Sequence, residues 1–286
     1  MAKPIFKWAG GKRQLLPQLR PLLPTTWGHY FEPMVGGGAL FFDLEPEEAS
    51  LGDINAHLML TYQMLRDEVD AVIGWLKRLG AVVNDPESAY YDVRKCFNTR
   101  PNDARSLRAA RMLYLNRMCF NGLWRENRSG EFNVPYGKKG AIDVVREELL
   151  REASEALQSV ELVSGSFLRV LFAAKAGDFV YLDPPYMPLK EGAFTSYNGS
   201  GFTENDHRGL AEAVQTLVDK GAKVMLSNSD VPFVHGLYRN FPRVRVSARR
   251  NINSKGNERG PVSELVVIGG YEVPADVEVL TGSQGA

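Results

Sequence analysis

Short apolar runs, separated by glycine, proline and charged residues, recur along the 286-residue chain. His29-Tyr30-Phe31-Glu32 leads into a glycine cluster, Ala49-Ser50-Leu51-Gly52-Asp53 is a second run, and Val160-Glu161-Leu162-Val163 a third. Asp178-Phe179-Val180-Tyr181-Leu182-Asp183 is stopped by two prolines, and Ala222-Lys223-Val224-Met225-Leu226-Ser227 follows. Each reads as a strand. Arg243–Val246 and Glu264–Ile268 lack a helix-length pattern between them and read as an antiparallel pair. Helical periodicity is clear in two places. Thr203 with Asp206 three residues on has the form of a capping box; Leu210, Val214, Leu217 and Val218 then share a face, and Gly221 ends the helix. From Leu107 to Met118, Ala110, Leu113, Tyr114 and Arg117 repeat at helical spacing. Strands and helices alternating at both ends predict a doubly wound, mostly parallel α/β sheet covered by helices. The middle reads as a helical, basic second domain, with Arg128-Ser129-Gly130 as the tip of a hairpin. The expected division is 1–60 and 150–286 for the α/β domain and 60–150 for the insertion.

Composition narrows the setting. The 44% hydrophobic and 24% charged fractions are those of an ordinary globular chain. Two cysteines, Cys96 and Cys119, suggest neither a disulfide framework nor a zinc site, and no metal is expected. Reduced thiols, no signal-like apolar run after Met1 and no stretch apolar enough to span a membrane point to the cytoplasm and to no membrane partner. The net charge of +0 conceals a separation. Arg94–Lys139 carries eleven Lys/Arg against three acids, and Leu237–Arg259 seven against one. Such segregation suits a face laid on phosphates, and equally two solvated faces.

Three segments bear on chemistry. Phe31-Glu32-Pro33-Met34-Val35-Gly36-Gly37-Gly38 carries a strand into glycines that let a ligand approach the backbone, and Asp53 ends the next strand, where a carboxylate can accept ribose hydroxyls. Together they indicate a nucleoside cofactor. Asp183-Pro184-Pro185-Tyr186 closes an apolar strand. Asp183 and a carbonyl held by Pro184 and Pro185 can accept both N–H bonds of an exocyclic amine and free its lone pair, while Tyr186 offers a flat face to an extruded base. Lys7-Trp8-Ala9-Gly10-Gly11-Lys12 lacks the spacing of a phosphate loop and instead suits wrapping of a cofactor. In the middle segment Tyr114–Arg125 interleaves aromatics and amides with arginines. There Tyr114 and Leu115 read as core, and Asn121 and Arg125 as residues that meet DNA.

These blocks, in this order, resemble the Dam-type DNA adenine methyltransferases of the α group, whose members methylate adenine in GATC. The likeness also covers Gly52-Asp53-Ile54-Asn55, Gly130–Gly137 and Ser227-Asn228-Ser229. It implies a seven-stranded S-adenosylmethionine (AdoMet) methyltransferase sheet with an inserted target-recognition domain. It also implies transfer of the methyl group to N6 of a flipped adenine in double-stranded DNA, by a monomer, in a bacterial or phage-infected cell and in settings such as restriction-modification. By resemblance, Asp183 and the Pro184 carbonyl hold the amine, and Tyr186 stacks on the base. Trp8, Lys12, Glu32, Met34, Gly36, Gly38, Asp53 and Ile54 surround AdoMet, with Ser166 and Phe167 at its adenine. Lys7 and Arg125 read a guanine, Phe120 and Asn121 enter near the flipping site, and Pro135 touches a base; Leu123, Asn127, Lys138 and Lys139 belong to the same DNA-facing set. Arg249, Arg250, Lys255 and Arg259 are expected on phosphates. Two positions depart from the family: Met34 replaces a common Phe, and Lys138-Lys139 follows Gly137 where Arg-Tyr is frequent.

Met187–Asn205, rich in glycine, reads as a lid. The competing readings are methylation of cytosine N4 or of an RNA base, which use the same chemistry, and a catalytically silent DNA-binding module, which has no reason to keep Asp183, Tyr186 and the glycine pocket together. A nicotinamide-dependent reductase is weaker, since Gly36-Gly37-Gly38 are consecutive.

Overall fold

A computed structural model describes residues 2–81, 84–139, 142–188, 202–249 and 261–282. Seven strands form one sheet in the order β3-β2-β1-β4-β5-β7-β6. They are β1 (Tyr30–Glu32), β2 (Ala49–Asp53), β3 (Val160–Ser164), β4 (Phe179–Leu182), β5 (Lys223–Ser229), β6 (Arg243–Arg249) and β7 (Pro261–Gly269). The first five are parallel; β7 runs antiparallel between β5 and β6. All seven expected strands are present, as is the antiparallel pair. That β7 would lie inside β6 is not visible in the alternation pattern.

The helices are α1 (Leu16–Leu19), α2 (Phe41–Leu44), α3 (Ala56–Gly80), α4 (Pro86–Thr99), α5 (Arg105–Met118), α6 (Glu147–Ala156), α7 (Phe167–Leu171), α8 (Glu204–Asp219) and α9 (Pro232–Leu237). The Thr203–Asp206 capping box starts α8, and its apolar stripe of Leu210, Val214 and Leu217 is buried. Asn55 caps α3 by accepting from the backbone N–H groups of His57 and Leu58, each at 3.0 Å.

The helical insertion, α3 to α5 followed by the hairpin with its tip at Arg128-Ser129-Gly130, is not held off from the sheet. α3 packs on β2, β3, α5 and α6 together. One apolar cluster runs from Leu51, Phe179 and Tyr181 on the sheet through Tyr62, Leu65, Met112 and Leu115 to Trp124 and Phe132. Burial of such side chains is worth about 1.5–3 kcal/mol each, so the insertion is tied to the sheet by the main stabilising term of the fold. For the same reason α5 is buried nearly all round; Tyr114 and Leu115 are core, as expected. A second cluster, including Phe31, Val180, Leu210, Val224 and Leu265, fills the opposite face under α7, α8 and α9.

Part of the segregated positive charge is internal. Arg111 is buried and pairs with Asp103 at 2.6 Å, and Arg243 is buried and donates to the Gly282 carbonyl at 2.6 Å. The segment expected to act as a lid lies mostly in 189–201, outside the described residues, as do Arg250, Lys255 and Arg259. Among the described residues no helix is long and apolar enough to cross a membrane.

Gly270 follows β7 at φ +78°, and a Cβ there would stand 2.1 Å from the Ala222 carbonyl oxygen. Gly270→Ala therefore combines left-handed strain with a backbone clash. It is expected to lower the urea unfolding midpoint, with a cost of at least about 1 kcal/mol. An unchanged midpoint would show that the β5–β7 edge yields freely.

Candidate active site

The strand order reverses between β1 and β4, so their carboxyl ends open a crevice where no connection crosses. The glycine segment leaves β1 there, and Asp183-Pro184-Pro185-Tyr186 leaves β4. Gly36 and Gly38 adopt positive φ, +46° and +64°. A Cβ on Gly36 would come within 2.8 Å of the Trp8 indole, so the Lys7–Lys12 segment folds directly onto the glycines. The Tyr62 hydroxyl donates to the Gly36 carbonyl at 2.8 Å. Across the turn, Asp53 accepts from the backbone N–H of Gly36 at 3.0 Å and of Asn55 at 2.8 Å. Burial raises its pKa, against these same N–H bonds.

Lys12, 4% exposed, projects into the crevice. Its ammonium donates to the Gly10 carbonyl at 2.7 Å, lies 2.8 Å from Asp183 Oδ1 and sits 4.5 Å from the centroid of the Tyr186 ring. Lys12 and Asp183 thus form a close ion pair, in which the Asp183 side chain is 20% exposed. Burial raises the Asp183 pKa; Lys12 pulls it down and Glu264 pushes it up, and burial wins. Glu32, one strand away, is 2% exposed and accepts from the Tyr30 hydroxyl at 2.8 Å. Burial lifts it to about 8 although the Tyr30 hydrogen bond opposes the shift. The crevice thus holds buried carboxyl groups with one ammonium between them, an environment suited to a positively charged ligand and to a neutral amine.

The Asp183–Tyr186 turn is held from β5. Asn228 Oδ1 accepts from the Met187 N–H at 3.2 Å, and Ser229 Oγ donates to the Met187 carbonyl at 2.8 Å. Asn228 Nδ2 in turn donates to His207 Nδ1 at 3.5 Å, and burial keeps that imidazole neutral by lowering its pKa to about 4. From β7, Glu264 Oε2 accepts from the Tyr186 hydroxyl at 2.6 Å.

A chain of aromatic rings leads away from the glycines. Trp8 stacks on Trp124 at 6.1 Å, and Trp124 lies 4.6 Å from Phe132 in the hairpin. Asn116 on α5 accepts from the Lys7 N–H at 3.0 Å and donates to the carbonyls of Lys7 at 2.9 Å and Gly122 at 3.1 Å. This fixes the Lys7 backbone beside Phe120–Leu123. Phe120 is 50% exposed, and Asn121 is left-handed at φ +56°. Pro135, Arg125 and Lys138 are exposed close by in the chain; Arg125 Nε donates to Asn133 at 2.7 Å. Asn127 is spent within the hairpin, where its Oδ1 accepts from the N–H groups of Ser129 and Glu131. The Lys139 ammonium turns inward to the Arg117 carbonyl.

The family of D12 class N6 adenine-specific DNA methyltransferases matches residues 8–252. The chain belongs to that family. A type II methyltransferase of Lactococcus lactis, M1.LlaDCHI, is 40% identical over 270 residues, covering 93% of this chain and 94% of its own. A DNA adenine methylase of Vibrio cholerae is 37% identical over 265 residues (92% and 94%), and one of Escherichia coli 34% over 264 (92% and 94%). The protein is an N6-adenine DNA methyltransferase that uses S-adenosylmethionine as methyl donor. The crevice fits that cofactor: glycines without Cβ bulk line the turn, Asp53 stands at a strand end, the Asp183 carboxyl is available to a positive charge, and Ile54 is 68% exposed beside Asp53.

Of the residues that the resemblance implies for the cofactor, Trp8, Lys12, Glu32, Gly36 and Asp53 lie along this crevice together with Asp183. Ser166 caps α7 and Phe167 packs near Phe202, on the opposite-face cluster with Met34. Three residues escaped the reading of the sequence as site residues. Asn116 and Asn228 carry their signal only as amides inside apolar runs. Glu264 is a lone acid at the head of Leu265-Val266-Val267-Ile268.

A carboxyl whose folded pKa is raised favours folding at pH below its ordinary value, and that contribution is lost as pH rises through the folded pKa. For Glu32 the window runs from 4.5 to about 8. Glu32→Gln, which imitates the protonated group, is expected to gain thermal stability relative to wild type as pH climbs from 5 to 9. A pH-independent difference in Tm would mean Glu32 is ionised throughout.

Proposed function

We propose that this methyltransferase modifies a flipped adenine in double-stranded DNA within GATC, with Asp183, the Pro184 carbonyl and Tyr186 as the groups that hold the base. The observation that carries this reading is the convergence of the Asp183 carboxyl and the Tyr186 ring at the strand switch point, where the Lys12 ammonium lies 2.8 Å from Asp183 Oδ1 and 4.5 Å from the ring centroid. One adenine amine satisfies both features, since its N–H bonds have acceptors and its ring has a partner.

The cofactor supplies an electrophilic methyl group on a sulfonium. The remaining work belongs to the chain. Asp183 and the Pro184 carbonyl accept the two N–H bonds, draw the amine towards tetrahedral geometry and direct its lone pair into the crevice. Pro185 keeps that carbonyl from turning. Stacking on Tyr186 keeps the base in place, and alignment with the methyl carbon supplies most of the rate. Trp8, Lys12, Glu32, Met34, Gly36, Gly38, Asp53, Ile54, Ser166 and Phe167 form the cofactor side of the crevice. Lys12 now occupies the space over Tyr186, so base entry requires its ammonium to withdraw.

For recognition, Lys7 and Arg125 are assigned to a guanine, Phe120 and Asn121 to the gap left by the flipped base, and Leu123 and Pro135 to neighbouring bases. Lys138, which is exposed, is assigned to a phosphate; the Arg249 side chain and Lys255, expected on phosphates too, lie outside the described residues. Asn127 and Lys139 serve the hairpin and its support before they serve DNA. The division into 1–60 with 150–286 and 60–150 describes two jobs, catalysis and target recognition, on one shared core. A monomer in the cytoplasm of a bacterial or phage-infected cell suits a modification enzyme. Cytosine N4 is the second acceptor that the same acid–carbonyl–phenol set accommodates.

Asp183→Ala is expected to remove methyl transfer from labelled AdoMet while GATC duplex binding stays within a few fold of wild type. Nucleoside digestion of DNA treated with the wild-type enzyme should yield N6-methyladenine. Persistent transfer by the mutant sinks the assignment of Asp183, and N4-methylcytosine in the digest sinks that of adenine.

A further inference from the structure

Tyr186 has two separate anchors. Its backbone is held through Met187 by Asn228 and Ser229 on β5, but these contacts leave the ring free to swing about its side-chain bonds. The ring itself is held by its hydroxyl, which donates to Glu264 Oε2 at 2.6 Å. That distance is typical of a charge-assisted hydrogen bond, about twice as strong as a neutral one. The acceptor is mounted rigidly. Glu264 lies on β7 with Ser229 of β5 opposite it on one side and Val246 of β6 on the other. Ser229 is also one of the residues holding the Met187 carbonyl, so both anchors of the tyrosine are cross-strand neighbours. The groups that face the ring are Lys12 over its face, Asp183 on the adjoining turn and Glu264 at its hydroxyl edge.

We propose that Glu264 is a positioning residue for methyl transfer: by accepting the Tyr186 hydroxyl from a strand paired on both sides, it fixes the plane on which the flipped adenine lies and so the line along which its N6 meets the methyl group. This rests on Tyr186 being the stacking ring. A tilt of the ring displaces the amine from both Asp183 and the cofactor, and misplacement of about 1 Å costs on the order of 100-fold in rate. Glu264 touches neither base nor cofactor in this account. Its effect passes through the phenol oxygen.

The test is single-turnover methylation of a GATC duplex by Glu264→Ala, Glu264→Gln, Tyr186→Phe and the double variant Glu264→Ala/Tyr186→Phe. Thermal melting, AdoMet affinity and DNA affinity are measured on each, and the emission of 2-aminopurine in place of the target adenine reports its stacking. Glu264→Ala should lower the transfer rate constant by about 10- to 100-fold with both affinities within a few fold and melting little changed. Glu264→Gln should restore most of the rate, because its amide oxygen still accepts from the phenol. In the Tyr186→Phe background, where there is no hydroxyl to hold, Glu264→Ala should cause no further loss, and it should alter 2-aminopurine emission only when the hydroxyl is present. A wild-type rate for Glu264→Ala overturns the proposal, and so does an equal loss with and without the hydroxyl. Tyr186→Ala keeps the two levels apart: unimpaired transfer by that variant removes the stacking assignment itself, whereas its failure beside an unimpaired Glu264→Ala removes only the role of Glu264.

Discussion

The site depends on an ion pair set at a point where the sheet changes direction. Asp183 follows β4 beside the glycine turn that leaves β1, and its carboxyl lies 2.8 Å from the Lys12 ammonium. Lys12 is buried and also donates to the Gly10 carbonyl, so the pair ties the N-terminal segment to the end of β4. Glu32 and Glu264 stand close to it, and the placement of strands brings these groups together from positions far apart in the chain.

The same economy governs the insertion. The buried Asn116 carboxamide holds Lys7 and Gly122, which joins the N-terminal segment to the loop carrying Phe120 and Asn121. Trp8 lies on the glycine turn with one side and on Trp124 with the other. Cofactor turn, N-terminal segment and hairpin therefore share contacts and are not separate bodies joined by a linker. A continuous apolar cluster is the reason that α5 is buried almost everywhere.

Strands and the capped helix α8 were legible because their signals are local: alternation, a capping box, glycine and proline punctuation. The Asp183–Tyr186 turn and the glycine segment were legible because their chemistry lies in consecutive residues. What could not be read is pairing across the chain. The position of β7 between β5 and β6 depends on which edge its apolar faces cover, and the bond from Tyr186 to Glu264 follows from that position. Asn116 and Asn228 looked like ordinary amides in apolar runs until their backbone partners were known. Charge was legible in amount but not in direction: Arg111, Arg243 and Lys139 counted towards a basic face, yet each is turned into the protein.

The antiparallel β7 has a consequence for biosynthesis. The groups around the Tyr186 ring come from residue 12 near the start of the chain and residue 264 near its end, and β7 must slip between two strands that precede it. As a nascent chain leaves the ribosome, β1 to β5 can pair in order, but the phenol has no rigid acceptor until β7 emerges and inserts. The hydroxyl contact of Tyr186 thus arrives only with the last strand, so an incompletely translated chain can hold much of the fold while this ring is still unanchored.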